Sequence, residues 1–186
     1  MIVIHPNDKT TSFLSEIYKE KKNITLLNET HNNRQIMEVL ASSKDEVVMI
    51  LGHGTEHGLL CPNDQCQFGR FIISDKHVDL LREHVCIGIW CNANRFAETH
   101  SLNGLFSGMV ISEEEEAHTF GVDLKGEDLN ERNHIYATDL AYCLRHYSLD
   151  LIPDAMQNVK DYSSPLNDFN YSSLYCYGKT SKTLDY

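Results

Sequence analysis

A histidine and a cysteine stand at matching places in this chain. The apolar run Val47-Val48-Met49-Ile50-Leu51 breaks at Gly52-His53-Gly54, and the run Val85-Cys86-Ile87-Gly88-Ile89-Trp90 rises to Cys91 before Asn92-Ala93-Asn94. Neighbouring strands lie about 5 Å apart, so side chains at their ends can meet. A free thiol titrates near ~8.5, and an adjacent imidazole favours the thiolate that attacks a carbonyl. The base must work from roughly 3 Å. These residue types make Cys91 the candidate nucleophile and His53 its base. Cys86, inside its run, and Cys143, on the inner side of a helix, read as small apolar fillers.

The elements that must position this pair follow from hydrophobic patterning. Both runs are continuously apolar, so each predicts a strand covered on both faces. Ile2 to Ile4 and Ile24 to Leu27 predict two more strands. Between them, Thr10, Thr11 or Ser12 caps a helix with Phe13, Leu14, Ile17 and Tyr18 on one face. Asn32 or Asn33 caps another helix, with Ile36, Val39 and Leu40 inward. Leu59 to Cys61 and Phe68 to Ile73 flank Pro62-Asn63-Asp64 and predict a hairpin. Ser74 caps a helix carrying Val78 and Leu81. Asn92 to Ser107 reads as a loop and helix, and Gly108 to Ser112 as a fifth strand. A long helix is predicted from about Asp128 to Tyr147, a short one within Leu151 to Tyr162, and a final strand in Asn170 to Tyr177. Strands alternating with amphipathic helices predict one α/β domain over 1–186. Its expected form is a three-layer α/β/α sandwich on a mostly parallel sheet of about six strands. Ligand crevices of such sheets lie at the carboxyl ends of the strands, where His53 and Cys91 fall.

The order of these pieces resembles the caspase-like (clan CD) cysteine peptidases, and most nearly the CHAT branch. The matching pieces are Val47 to Leu51 with His53-Gly54, Phe71 to Leu81, Val85 to Cys91, and Gly104 to Ser112 with its acidic end. Coverage runs from about Ile2 to Ala117; no motif assigns the C-terminal third. The resemblance implies hydrolysis of peptide bonds through a thioacyl intermediate, with Cys91 as nucleophile and His53 as general base and acid. It also implies an oxyanion hole from the backbone N–H groups of Gly54 and Cys91, and it needs neither a third triad member nor a cofactor. The chain departs from the family pattern at Trp90, where a small residue is usual, and at Asn92-Ala93-Asn94, where a glycine is usual.

Glu113 to Glu116 follow the expected fifth strand, so their carboxylates should lie near the crevice. In an extended segment only about two of the four can face it. Glu113 and Glu115 are the expected substrate contacts, selecting Arg or Lys before the scissile bond as several clan CD relatives do.

Three other readings draw on the same stretch of chain. Caspase-like scaffolds also occur as inactive protein-interaction modules, and control of an active enzyme is expected to lie in a regulatory partner protein or in oligomerisation. A zinc site could draw on His53, His57, Cys61 and Cys66, although no matched pair of Cys-x-x-Cys knuckles is present and no metal is expected. A phosphate-binding loop is disfavoured because Gly52-His53-Gly54 lacks the third glycine of its fingerprint.

Composition bounds the partners. The 186 residues are 41% hydrophobic and 23% charged, with a formal net charge of −11. That balance disfavours nucleic acid, which asks for a basic face, and favours cationic protein or peptide segments. No apolar run approaches the ~20 residues of a membrane span, and no signal peptide is expected. The six cysteines are read as free thiols in a cytoplasmic protein.

Overall fold

The computed structural model describes residues 1–62, 70–124 and 126–178. The apolar runs at 2–4, 47–51 and 85–89 form strands where the patterning places them. β1 (Ile2–Ile4), β2 (Thr25–Leu27), β3 (Val47–Leu51), β7 (Val85–Ile89), β8 (Asn103–Ser107) and β9 (Leu174–Tyr177) join in one sheet of order β2-β1-β3-β7-β8-β9. Five of the strands run parallel, and β9 pairs antiparallel with β8. A second, three-stranded antiparallel sheet holds β4 (Gly54–Thr55), β5 (Gly58–Leu60) and β6 (Phe71–Ile73). It is the expected hairpin with one short strand added. Phe68, Asn63, Asp64 and Cys66 lie outside the described residues.

Alternate residues of each parallel strand enter two separate cores, as period-two geometry requires. Val3, Met49, Leu51, Ile87 and Leu105 pack with Tyr136, Leu140 and Leu144 of α5 (Leu129–His146) and with Met156 of α6 (Ile152–Val159). Ile2, Ile4, Val48, Ile50 and Phe106 pack on the other side. Their partners are Ile36 and Leu40 of α1 (Asn33–Ser42), Leu81 of α2 (Val78–Leu81) and Phe96 of α3 (Ala93–His100). Helices therefore cover both sheet faces, an arrangement compatible with the expected three-layer sandwich. Each Leu or Ile fully buried in these layers contributes about 1.5–3 kcal/mol.

The helix starts follow capping chemistry. Asn32 accepts from Gln35 N–H, and the Gln35 side chain returns the bond to Asn32 N–H. Asp128 accepts from the N–H groups of Asn130 and Glu131 and opens α5. Such caps stabilise a helix by about 1 kcal/mol each.

Four expectations are corrected. The stretch 92–107 is not one loop and helix: α3 ends at His100, Ser101 turns the chain with a φ of 54°, and Leu105 and Phe106 belong to strand β8. The fifth strand of the sheet is thus 103–107, and 108–112 is the connection that leaves it. The glutamates are not extended either. Glu113 is the N-cap of α4 (Glu114–Thr119), where acidic side chains favour the helix dipole. Finally, Ser12–Ile17 forms a 3₁₀ helix rather than an α-helix. α7 (Pro165–Tyr171), which the patterning did not anticipate, starts with Ser164 accepting from Asn167 N–H.

Cys61 is disulfide-bonded, which corrects the expectation of free thiols at this position. It stands beyond the end of β5 and is only partly covered, an outlying place where a thiol is open to oxidation. Cys86, Cys91 and Cys143 are free thiols.

Candidate functional site

β3 and β7 are neighbours, paired in register from Val47↔Val85 to Leu51↔Ile89. The pairing extends one step further, with Gly52 N–H donating to Ile89 O at 3.1 Å. His53 and Cys91 therefore leave the sheet from adjacent strands at the same edge. Both line one open cleft of about 1030 Å³, together with Gly54, Glu113, Glu115 and Glu116.

The backbone around the pair is set by a few residues. Gly52 has a φ of +139°, a region closed to most side chains, and this turns His53 out of the strand direction. Asn92 follows Cys91 with a φ of 65°. Asparagine is among the few side chains that tolerate this left-handed geometry. Asn92 N–H donates to Gly108 O, which ties the turn to the segment leaving β8. Trp90, only 2% exposed, points into the packing rather than the cleft. Its indole N–H donates to Thr55 O at 3.0 Å and its backbone N–H to Ser107 Oγ at 3.0 Å. A side chain on Gly54 would fall inside the Trp90 indole, so the glycine beside His53 is required by the tryptophan beside Cys91.

His53 Nε2 lies 2.6 Å from Thr10 Oγ1. The Thr10 hydroxyl and backbone N–H both donate to Asp8 Oδ1, at 2.8 and 2.9 Å. Burial pushes the Asp8 carboxyl up, but the two Thr10 bonds and the nearby His53 and His5 outweigh it and hold the group below its ordinary range. Thr10 is one of three expected helix caps, with Thr11 and Ser12; instead the 3₁₀ helix after it has no side-chain cap. Asp8 and Thr10 escaped the sequence reading because they lie more than 40 residues from His53 in the chain (|i−j| is 43 for Thr10). A signal was nevertheless present: β1 is a parallel neighbour of β3, so the loop after it must open at the same edge.

Cys91 faces a carboxylate. Its thiol is 3.9 Å from Glu116 Oε1, a distance within reach of a weak S–H···O bond. Glu116 is itself held in place: its Oε2 accepts from Ser112 N–H at 2.7 Å, Ser112 Oγ at 3.0 Å and Glu113 N–H at 3.2 Å. Burial, aided by Glu116, pushes the Cys91 thiol up to about 12, although the backbone N–H groups of Val110 and Cys91 act against this. The expected contacts Glu113 and Glu115 do line the cleft, but Glu116 is the carboxylate against the sulfur. Sequence reading passed over it because odd-even alternation was applied to a segment that is helical. On a helix, positions three apart share a face, which groups Glu113 with Glu116.

The structure thus brings His53, Cys91, Gly54, Glu113 and Glu115 to one cleft and adds Asp8, Thr10 and Glu116. Among the described residues the zinc grouping is not assembled. His57 is exposed on the turn between β4 and β5, Cys61 is disulfide-bonded, and Cys66 lies outside the described residues. Among the described residues no group of three His, Cys, Asp or Glu side chains is arranged to hold a metal ion, and no helix is long and apolar enough to cross a membrane.

No protein-family model matches the chain, and a search of curated proteins found no similar sequence.

Proposed function

We propose that the protein is a caspase-like cysteine peptidase with Cys91 as nucleophile and His53 as general base and acid. The observation that carries this reading is the placement of the two side chains at the ends of adjacent parallel strands, on one open cleft. In the proposed cycle the Cys91 sulfur adds to the amide carbonyl carbon while His53 takes the thiol proton. The carbonyl oxygen becomes an oxyanion, for which the N–H groups of Gly54 and Cys91 are the proposed donors. Collapse breaks the C–N bond, and His53 returns the proton to the leaving amine. Water, deprotonated by His53, then cleaves the thioester, releasing the acid and restoring the thiol. The acidic rim suits a peptide with a basic residue before the scissile bond, and a regulatory protein partner would control access to the cleft.

A second reading is a scaffold that binds protein without cleaving it. The observation favouring it is the Cys91 environment, which keeps the thiol protonated in the unliganded protein. Exposure to a peptide-based electrophile, followed by mass mapping, separates the two. The peptidase reading expects adduct on Cys91 in the wild type and loss of peptide hydrolysis in Cys91→Ala and His53→Ala. Full hydrolysis by Cys91→Ala, or no adduct and no hydrolysis with any peptide, supports the scaffold or another chemistry.

A further inference from the structure

The cleft contains a hydrogen-bonded chain, Asp8–Thr10–His53, that the proposed reaction does not by itself require. Its protons can be assigned by counting donors. A threonine hydroxyl has one proton and can donate once. Asp8, held below the ordinary carboxylate range, is ionised at neutral pH and offers only acceptors. The Thr10 hydroxyl is 2.8 Å from Asp8 Oδ1 and donates to it. Its remaining contact, 2.6 Å to His53 Nε2, then needs its proton from the ring.

We propose that Thr10 and Asp8 are positioning residues for His53. Asp8 commits the Thr10 proton, Thr10 Oγ1 is left only as an acceptor, and the neutral His53 ring is fixed with Nε2 protonated and the lone pair on Nδ1. The inference rests on the reading of His53 as the base of Cys91, and it specifies which ring atom takes the thiol proton. The two residues do a second task once that proton has moved. The imidazolium then donates from Nε2 toward a hydroxyl backed by a carboxylate, so the charge formed in the first step is met by a group already in place. The loop carrying them is anchored independently of the site: His5 Nδ1 bonds Tyr18 OH at 3.0 Å, and Asn7 N–H donates to Glu29 Oε2 at 2.8 Å. The chain is therefore preorganised from β1, not from the two strands that bear the reacting side chains.

The test combines the tautomer with Cys91 reactivity. In ¹⁵N-labelled protein at a pH where His53 is neutral, long-range ¹H–¹⁵N correlation should show the Nε2–H form. Thr10→Val should give a mixture of tautomers, and Thr10→Ser should restore the wild-type pattern. Asp8→Ala frees the Thr10 proton and should populate the Nδ1–H form. Alkylation of Cys91 by iodoacetamide, followed by mass mapping, should slow roughly 10- to 100-fold in Thr10→Val and recover in Thr10→Ser, the scale known for outer partners that orient an imidazole. Well-dispersed amide spectra identify variants that remain folded. An unchanged Nε2–H tautomer in both folded Thr10→Val and Asp8→Ala overturns the proposal, as does an Nδ1–H ring in the wild type. The dyad itself fails differently: alkylation would then be as fast in His53→Ala as in the wild type, whatever the tautomer.

Discussion

The Cys91 sulfur stands 3.9 Å from Glu116 Oε1, and that carboxylate is held by three donors of its own helix start. A negative charge against a thiol opposes ionisation, the reverse of what a nucleophile needs. Replacing Glu116 by glutamine removes the charge and keeps an oxygen of similar reach. The pH–rate profile of iodoacetamide labelling should move to lower pH in Glu116→Gln, with faster labelling at pH 7.5. The midpoint should remain above the ordinary thiol value, because burial is the larger cause of the shift. A profile identical to wild type would show that Glu116 does not control the sulfur.

The same carboxylate gives the substrate proposal a sharper form. A Lys or Arg side chain entering beside Glu113, Glu115 and Glu116 would neutralise part of the charge that suppresses the thiolate. Binding and activation would then be coupled. A positional-scanning peptide library should show cleavage after Arg or Lys, and Glu113→Gln with Glu115→Gln should weaken that preference mainly through KM. Preference for Asp or for apolar residues at that position overturns the proposal and leaves the Cys91–His53 assignment untouched.

Gly54 and Trp90 constrain one another across the two strand ends. In Gly54→Ala the added methyl meets the indole and lies 2.7 Å from Gly58 O. Overpacking of this kind costs about 1–3 kcal/mol. Urea denaturation should show the loss, and Gly54→Ala combined with Trp90→Ala, which removes the Cγ and Cδ1 atoms that collide, should lose less than the sum of the two single losses. Two independent, additive losses would show that the residues do not share the space.

Alkaline stability follows from the buried thiols. Burial pushes Cys86 and Cys91 up to about 12, and burial with Asp139 nearby pushes Cys143 up to about 11. In the unfolded chain these groups ionise near ~8.5. The unfolded state therefore releases protons first as pH rises, and folding stability must fall. The contribution is whole below about pH 8.5 and lost as pH climbs toward the folded values. Denaturation midpoints taken from pH 7 to pH 10.5 should decline, and Cys86→Ala should flatten part of that decline. A midpoint independent of pH in wild type contradicts the assignment.

Strands β1, β3 and β7 were legible because they are written as unbroken apolar runs, and a run such as Val47 to Leu51 leaves few alternatives. Asn32 was legible as a candidate cap, and Asp128 as the approximate start of its helix, for a similar local reason. The site was legible only where a reactive residue ends such a run, as His53 and Cys91 do. Leu105 and Phe106 were misplaced in a helix because two adjacent apolar residues fit either period, and the left-handed turn at Ser101 carries no distinctive residue type. Asp8, Thr10 and Glu116 are partners chosen by tertiary proximity, and their local sequence reads equally well as turn or cap. Glu116 shows the cost of a wrong period: one helical turn exchanged which carboxylate meets the sulfur.

The chain contains a single tryptophan, and it is the residue that joins Cys91 to β7. Its indole is buried and hydrogen-bonded to Thr55 of the small sheet. Intrinsic fluorescence of the unmodified protein is therefore a site-specific optical signal. Emission excited at the red edge of the protein band should be blue-shifted and poorly quenched by acrylamide. Anything that pries β4 away from the Cys91 turn should redden it, so separation of the two strand ends can be followed in real time without attaching a dye.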